Sequence, residues 1–105
     1  MKILFDQGTP VPLRQHLEGH HVDTAYERGW SELRNSVLLD KAEEHGYQLL
    51  ITTDQSLRHQ QDLAARELAV LVLRSTAWPR IRARIDEIRS AVNKMQRGQF
   101  REVEV

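Results

Sequence analysis

QLLITTD at residues 48–54 and LAVLVL at residues 68–73 are the two stretches that decide the fold class. The first is apolar and β-branched and closes in a carboxylate, and the second is apolar on both of its faces. Strands of this second kind are typical of the centre of a parallel sheet, which helices cover on both sides. We therefore predict an α/β protein, with a polar, helical connection over residues 56–66 between these two strands.

The first half of the chain continues this alternation. KILFD at residues 2–6 predicts a buried strand that also ends in a carboxylate, and HHVDT at residues 20–24 predicts a shorter strand. Between them, Thr9 is a suitable N-cap for a helix. Asn35 is a suitable N-cap for a second helix, which is expected to run through His45.

The most periodic segment follows residue 79. Apolar residues recur there at spacings of 4, 3, 4 and 3, and they predict one continuous helix with a stripe facing the sheet: Ile81, Ile85, Ile88, Val92 and Met95. Residues 100–105 follow as a predicted final strand. The element order β-α-β-α-β-α-β-α-β predicts a small α/β sandwich around a mainly parallel sheet, with residues 1–105 as a single domain.

The composition excludes several classes of protein. The chain has 105 residues, of which 40% are apolar, and this suits one modest core. The absence of cysteine excludes a disulfide scaffold, a thiolate zinc site and a cysteine nucleophile. No apolar run approaches the roughly 18–20 residues of a membrane span, and the start lacks the apolar stretch of a secretory signal. We expect a cytoplasmic protein with no membrane partner.

The charge is balanced overall but unevenly distributed. Fifteen basic and fifteen acidic side chains give a formal charge of zero, which argues against a generally basic nucleic-acid coat protein. Residues 74–101, however, hold eight basic and two acidic side chains. This basic segment is either a solvated helix face with internal ion pairs or a surface that faces phosphate groups.

Two of the three clearest strands end in an aspartate, Asp6 and Asp54. Ligands of open parallel sheets bind at the carboxyl ends of the strands, so the two carboxylates converge if their strands are neighbours. Mg²⁺ is often held by one or two carboxylates together with water and substrate phosphate. The pair therefore indicates a cation site suited to phosphodiester cleavage, although each aspartate alone is also explained as a turn former or helix cap.

The segments MKILFDQGTPVPLRQHL and ERGWSELRNSVLLDKAEEHGYQLLITTDQSL resemble the PIN-like domains of the DUF5615 type, relatives of the toxin nucleases of bacterial toxin–antitoxin pairs. The resemblance covers essentially the whole chain. It rests on a strand–Asp–x–x–x–Pro opening, a middle helix and a strand that closes in Thr-Thr-Asp. It implies a PIN-type α/β/α fold, a Mg²⁺ or Mn²⁺ site at one end of the sheet and metal-dependent RNA cleavage. It also implies a cognate antitoxin as protein partner, and pairing into homodimers.

Matched by position, Asp6 corresponds to the first acid of the family and Asp54 to the acid after the central strand. The positions of the two further acids hold Asn35 and Ser56. Only two carboxylates then remain, which predicts weak binding of one divalent ion and no second ion. Asn35 could contribute its carbonyl oxygen, Ser56 its hydroxyl, and Glu32, in the preceding loop, a substitute carboxylate. Asn35 is equally well explained as a plain N-cap.

Four further side chains have an open role. Arg58 and His59 follow Asp54 closely; either could bind an RNA phosphate, and His59 could transfer protons near neutral pH, or both belong to a solvated connection. Trp30 and Trp78 lie in connections between elements. Stacking on an RNA base, packing against the edge of the core and contact within a dimer all fit that placement.

Three functions compete for this sequence. The first is a metal-dependent ribonuclease of the PIN-like kind. The second keeps the fold without the catalysis, as a degenerate PIN-like protein that binds a protein partner or RNA, and the neutral Asn35 and Ser56 favour it. The third is a phosphoacceptor receiver domain, which would need a second acid beside Asp6 and a lysine after the last strand. Gln7 and Val105 supply neither.

Overall fold

The central sheet is entirely parallel in the computed structural model, which describes residues 1–57 and 63–105. In that part of the chain it contains five strands: β1 (Lys2–Phe5), β2 (His21–Thr24), β3 (Leu49–Thr52), β4 (Ala69–Leu73) and β5 (Phe100–Val103). Their order across the sheet is β2-β1-β3-β4-β5, and each neighbouring pair is parallel. The predicted α/β class with a mainly parallel sheet is confirmed.

Helices connect these strands across both faces of the sheet. The described helices are α1 (Asn35–Glu44), α2 (Trp78–Arg82) and α3 (Ile85–Lys94), together with short 3₁₀ helices at Val11–His16 and Leu63–Ala65. Residues 58–62, at the centre of the predicted helical connection, lie outside the described residues. No helix within residues 1–57 or 63–105 has the length and apolar character needed to cross a membrane.

Two apolar cores lie on opposite faces of the sheet. Alternate strand residues such as Ile3 and Ile51 pack with the first 3₁₀ helix, α2 and α3 on one face. Their neighbours Leu4 and Leu50 pack with α1 on the other. The residues of β3 and of β4 are buried throughout, as expected of strands covered by helices on both sides. These layers form the sandwich that the strand pattern predicts.

The predicted N-cap role of Thr9 is wrong. The helix that follows is a 3₁₀ helix with Pro10 as its N-cap residue and no side-chain cap, and Pro12 lies in its first turn. Both prolines suit the start of a helix, because the first backbone amides of a helix have no partner within it and proline lacks that hydrogen. The buried Thr9 hydroxyl instead donates to the carbonyl oxygen of Ile51 at 2.8 Å. This bond fastens the loop after β1 to the end of β3.

The predicted N-cap of the middle helix is displaced by one residue. Arg34 occupies the cap position with extended backbone and no side-chain cap, and Asn35 is the first residue of α1. The Asn35 side chain donates elsewhere, to Asp54. The helix ends at Glu44 with His45 as its C-cap, one residue before the predicted end, and Gly46 follows with a φ of +81°, a conformation that glycine adopts without strain.

The predicted long C-terminal helix is divided in two. Ala83 and Arg84 separate α2 from α3, and Arg84 has a non-helical backbone with φ −117° and ψ 22°. The two pieces have different neighbours, because α2 contacts the first 3₁₀ helix and α3 contacts β5. The interruption leaves Ile85 only partly buried, whereas Ile81 and Ile88 are completely buried.

Candidate functional site

The candidate site lies where β1 and β3 end beside each other. Asp6 follows β1 directly and Asp54 lies two residues beyond β3. The two strands pair in parallel with Phe5 opposite Ile51, so their carboxyl ends meet at one edge. The chain runs from β1 outward to β2 on one side and continues through β3 on the other. Such a reversal of strand order is where doubly wound α/β sheets bind ligands.

The hydroxyl of Thr52 connects the two aspartates. Thr52 is completely buried. Its Oγ1 donates to Asp6 Oδ2 at 2.8 Å and accepts from the backbone N–H of Asp54 at 3.1 Å. Because one hydroxyl binds both residues, the Asp6 side chain and the Asp54 backbone have a fixed relative position.

The loop after β1 lies tightly against the loop after β3. The other oxygen of Asp6, Oδ1, accepts from the backbone N–H of Gln7 at 2.7 Å. A Cβ atom at Gly8 would lie 2.4 Å from Thr53 Oγ1, closer than such atoms can approach. Glycine at position 8 therefore permits the close approach of the two loops that carry the aspartates.

Asp54 is surrounded by neutral hydrogen-bond donors. Its Oδ1 accepts from the hydroxyl and the backbone N–H of Ser56 at 2.6 and 2.9 Å, and its Oδ2 accepts from Asn35 Nδ2 at 2.9 Å. The Ser56 hydroxyl lowers the pKa of Asp54 most, and the Asn35 amide and the Ser56 N–H add to it, while partial burial acts in the opposite direction. The net pKa lies below its ordinary value, so Asp54 is an anion at neutral pH.

These groups fit one hard cation. Asp6 and Asp54 offer carboxylate oxygens. Asn35 would offer its carbonyl oxygen if its side-chain amide rotated by half a turn, because the rotation exchanges the positions of the amide oxygen and nitrogen. Mg²⁺ takes few protein ligands and keeps several waters, so two carboxylates are sufficient. In the described part of the chain, no group of three or more His, Asp or Glu side chains could hold a metal. The donor set therefore suits a single, weakly bound ion.

The structure brings some of the predicted site residues together and leaves others apart. Asp6, Asp54 and Asn35 form one hydrogen-bonded group with Thr52. Glu32 is exposed in a turn and is not among the hydrogen-bond partners of that group in residues 1–57 and 63–105. Arg58 and His59 lie outside the described residues.

The two tryptophans pack against the cores. Trp30 lies against the core on the α1 face, with the Arg28 guanidinium 4.7 Å from its ring centre and the His45 ring 5.0 Å away. Trp78 lies against the opposite core, with the His16 ring at 5.9 Å. Of the roles considered for them, packing at the edge of the core is the one that these contacts support.

Three residues of this edge are not identified by the sequence patterns. Thr52 reads as an ordinary strand residue, yet it links the aspartates. Arg34 stands beside Asn35 at the start of α1, and Arg74 follows β4 and reaches Gln55 at 3.4 Å. The signal for Arg74 was available, because it follows a buried strand as Asp6 does.

Replacing Thr52 with valine is expected to loosen this edge. The substitution keeps the shape but leaves the N–H of Asp54 without its acceptor, at a cost of about 1–2 kcal/mol in the free energy of unfolding. Urea denaturation of the wild type and variant measures this cost. Thr52→Ser is the control, since it keeps the hydroxyl, and equal losses in both variants would contradict a role for the hydrogen bonds.

Comparison of the chain with protein-family models, curated proteins and solved structures found no match. The fold and the site define it as a doubly wound α/β protein in which two aspartates, Asp6 and Asp54, lie at the edge of the sheet where the strand order reverses.

Proposed function

We propose that this protein is a Mg²⁺- or Mn²⁺-dependent ribonuclease of the PIN-like kind, with one ion held between Asp6 and Asp54. A single observation supports the proposal most strongly. Asp6 and Asp54 follow neighbouring parallel strands, and the buried Thr52 hydroxyl donates to the Asp6 carboxylate and accepts from the backbone N–H of Asp54 at the edge where such sheets bind ligands.

Each residue of the edge would have a distinct role. A bound divalent ion would supply charge stabilisation and an acidified water for attack on phosphorus. Asp6 and Asp54 would hold the ion, and their two negative charges would match its charge. Thr52 orients Asp6, while Asn35 and Ser56 orient Asp54 and keep it ionised. The substrate would be RNA, and an antitoxin protein covering this edge would inhibit cleavage.

A second candidate function has its own supporting observation. The carboxylate of Asp54 already accepts three hydrogen bonds from Ser56 and Asn35, so both oxygens are satisfied without a cation. This arrangement suits a degenerate PIN-like protein in which the edge has a structural role. Such a protein would act by binding RNA or a protein partner.

A Mn²⁺ titration distinguishes the two functions. If the nuclease proposal holds, the spin signal of free Mn²⁺ will show saturable binding at one site, and Asp6→Asn will weaken this binding at least about tenfold because one of two anionic ligands is lost. Asp86→Asn is the matched control, since Asp86 is fully exposed on α3. RNA cleavage that EDTA stops would complete the support. If Mn²⁺ does not bind and RNA is not cleaved, the binding function is the one that remains.

A further inference from the structure

Arg74 lies beside Asp54 at the edge of the sheet. Strand β4 is the neighbour of β3, with Thr52 opposite Val72, so Asp54 and Arg74 each lie two positions beyond a paired residue. Three adjacent strands, β1, β3 and β4, are thus followed by Asp6, Asp54 and Arg74. Two of these side chains are acidic and the third is basic. An arginine next to two carboxylates gives this edge both a cation-binding and an anion-binding part.

The contacts of the Arg74 side chain are weak and exposed. Its Nε lies 3.4 Å from Gln55 Oε1 and 3.7 Å from Glu102 Oε2, and its Nη1 lies 3.2 Å from Glu104 Oε2. The Arg74 side chain is 44% exposed and that of Glu104 is 78% exposed. Ion pairs between exposed side chains contribute little stability, so a phosphate group could replace Glu104 at little cost.

Arg34 lies at the start of α1, next to the residue that contacts Asp54. It precedes Asn35, whose amide donates to Asp54, and it is exposed. Among the residues that the structure describes, no carboxylate forms an ion pair with Arg34. Two arginines therefore neighbour residues of this edge, because Arg34 precedes Asn35 in the chain and Arg74 contacts Gln55.

We propose that Arg34 and Arg74 bind the backbone phosphates of single-stranded RNA beside the Asp6–Asp54 pair. The inference rests on the proposed function and extends it to the way the substrate is held. Two carboxylates repel a polyanion, so an RNA strand needs fixed positive charge beside them. Guanidinium groups supply it with paired N–H donors that match two phosphate oxygens.

Binding of a fluorescein-labelled oligouridylate tests this proposal. In EDTA, where cleavage is stopped, Arg34→Gln and Arg74→Gln are each expected to weaken binding roughly five- to tenfold. The slope of log K against log salt concentration should fall by about 0.7 for each variant, the value for one phosphate contact on a single strand. Glu104→Gln should tighten binding, since it removes one of the two carboxylates that pair with Arg74.

Arg97→Gln is the matched control. Arg97 pairs with Glu67 and lines a cavity of about 360 Å³ with Gln48 and Leu68, which precede β3 and β4, so it lies at the opposite end of the sheet. Equal loss of binding in all three glutamine variants would overturn the proposal, because net charge alone would explain it. Arg74→Lys should keep the salt slope of the wild type, because the positive charge is retained. If Arg74 had a purely structural role, every variant at this position, Arg74→Gln included, would keep that slope.

The two proposals fail in different ways. Loss of RNA binding confined to Arg34→Gln and Arg74→Gln supports the arginine pair even if the wild type binds no Mn²⁺, and the nuclease proposal then fails alone. Saturable Mn²⁺ binding with unchanged RNA binding in both variants overturns the arginine pair alone.

Discussion

Under the proposed nuclease function, replacing Asp54 with asparagine is expected to reduce RNA cleavage by roughly 10²–10³-fold or more and to remove saturable Mn²⁺ binding, while the domain stays folded. The carboxylate is one of two anionic ligands available to the ion, and an amide oxygen is a much weaker ligand for a hard cation. The fold should survive because Asp54 lies at the edge of the sheet, and an asparagine oxygen can still accept from Ser56. Circular dichroism, Mn²⁺ titration and cleavage assays on one preparation measure all three effects.

The same variant has a predictable effect on acid stability. The pKa of Asp54 is lower in the folded protein than its ordinary value of 3.8, so the carboxylate stabilises the fold above that pH. This stabilisation is lost as the pH falls through the folded pKa. Asp54→Asn should therefore lose less stability than the wild type between neutral pH and the pH range below about 4. Unfolding of the variant at neutral pH would show instead that Asp54 is structural.

An aspartate at position 88 is expected to unfold the domain. Ile88 lies on α3, completely buried in the core formed with the first 3₁₀ helix and α2. A carboxylate there would have to be buried unpaired or neutralised, which costs about 4–5 kcal/mol or more. Since a domain of this size is stable by about 5–15 kcal/mol in total, thermal denaturation should show a loss of roughly 20 °C or no folded state.

Val37→Asp is the matched control for that experiment. Val37 lies on α1 and is 42% exposed, so the same change of side chain type should leave the melting temperature within a few degrees. Ile85→Asp should fall between the two, because Ile85 is only partly buried beside the break between α2 and α3. A melting temperature of Ile88→Asp close to that of Val37→Asp would contradict the position of α3 in the core.

The strands were more predictable than the helices. LAVLVL is apolar on both faces, a property that only a strand covered on both sides explains, and β4 lies within it. The sequence does not indicate the break between α2 and α3, because the two residues at the break, Ala83 and Arg84, are neither glycine nor proline. The break coincides with a change of tertiary contacts, since α2 contacts the first 3₁₀ helix and α3 contacts β5.

The candidate site was predictable where it depends on backbone topology. The convergence of Asp6 and Asp54 was predicted on the condition that their strands are neighbours, and the pairing of β1 with β3 meets that condition. The role of Thr52 could not be foreseen, since a buried threonine in a strand has no distinctive pattern. Arg74 is one of eight basic residues in its segment, and only its place after β4 separates it from the others. The resemblance to PIN-like domains stays a prediction.

The parallel sheet also bears on how the chain folds. None of the four strand pairs can form from a hairpin, because parallel neighbours are joined only by long crossovers. Contacts between residues that are distant in the sequence require large loops to close, and the entropy lost in closing them precedes the free energy gained from the contacts. We therefore expect refolding to be slow for a chain of this length. Before β3 and β5 pair with it, β4 is an exposed apolar segment with high β-propensity. Self-association during refolding should therefore begin at β4, and raising the protein concentration should lower the refolding yield.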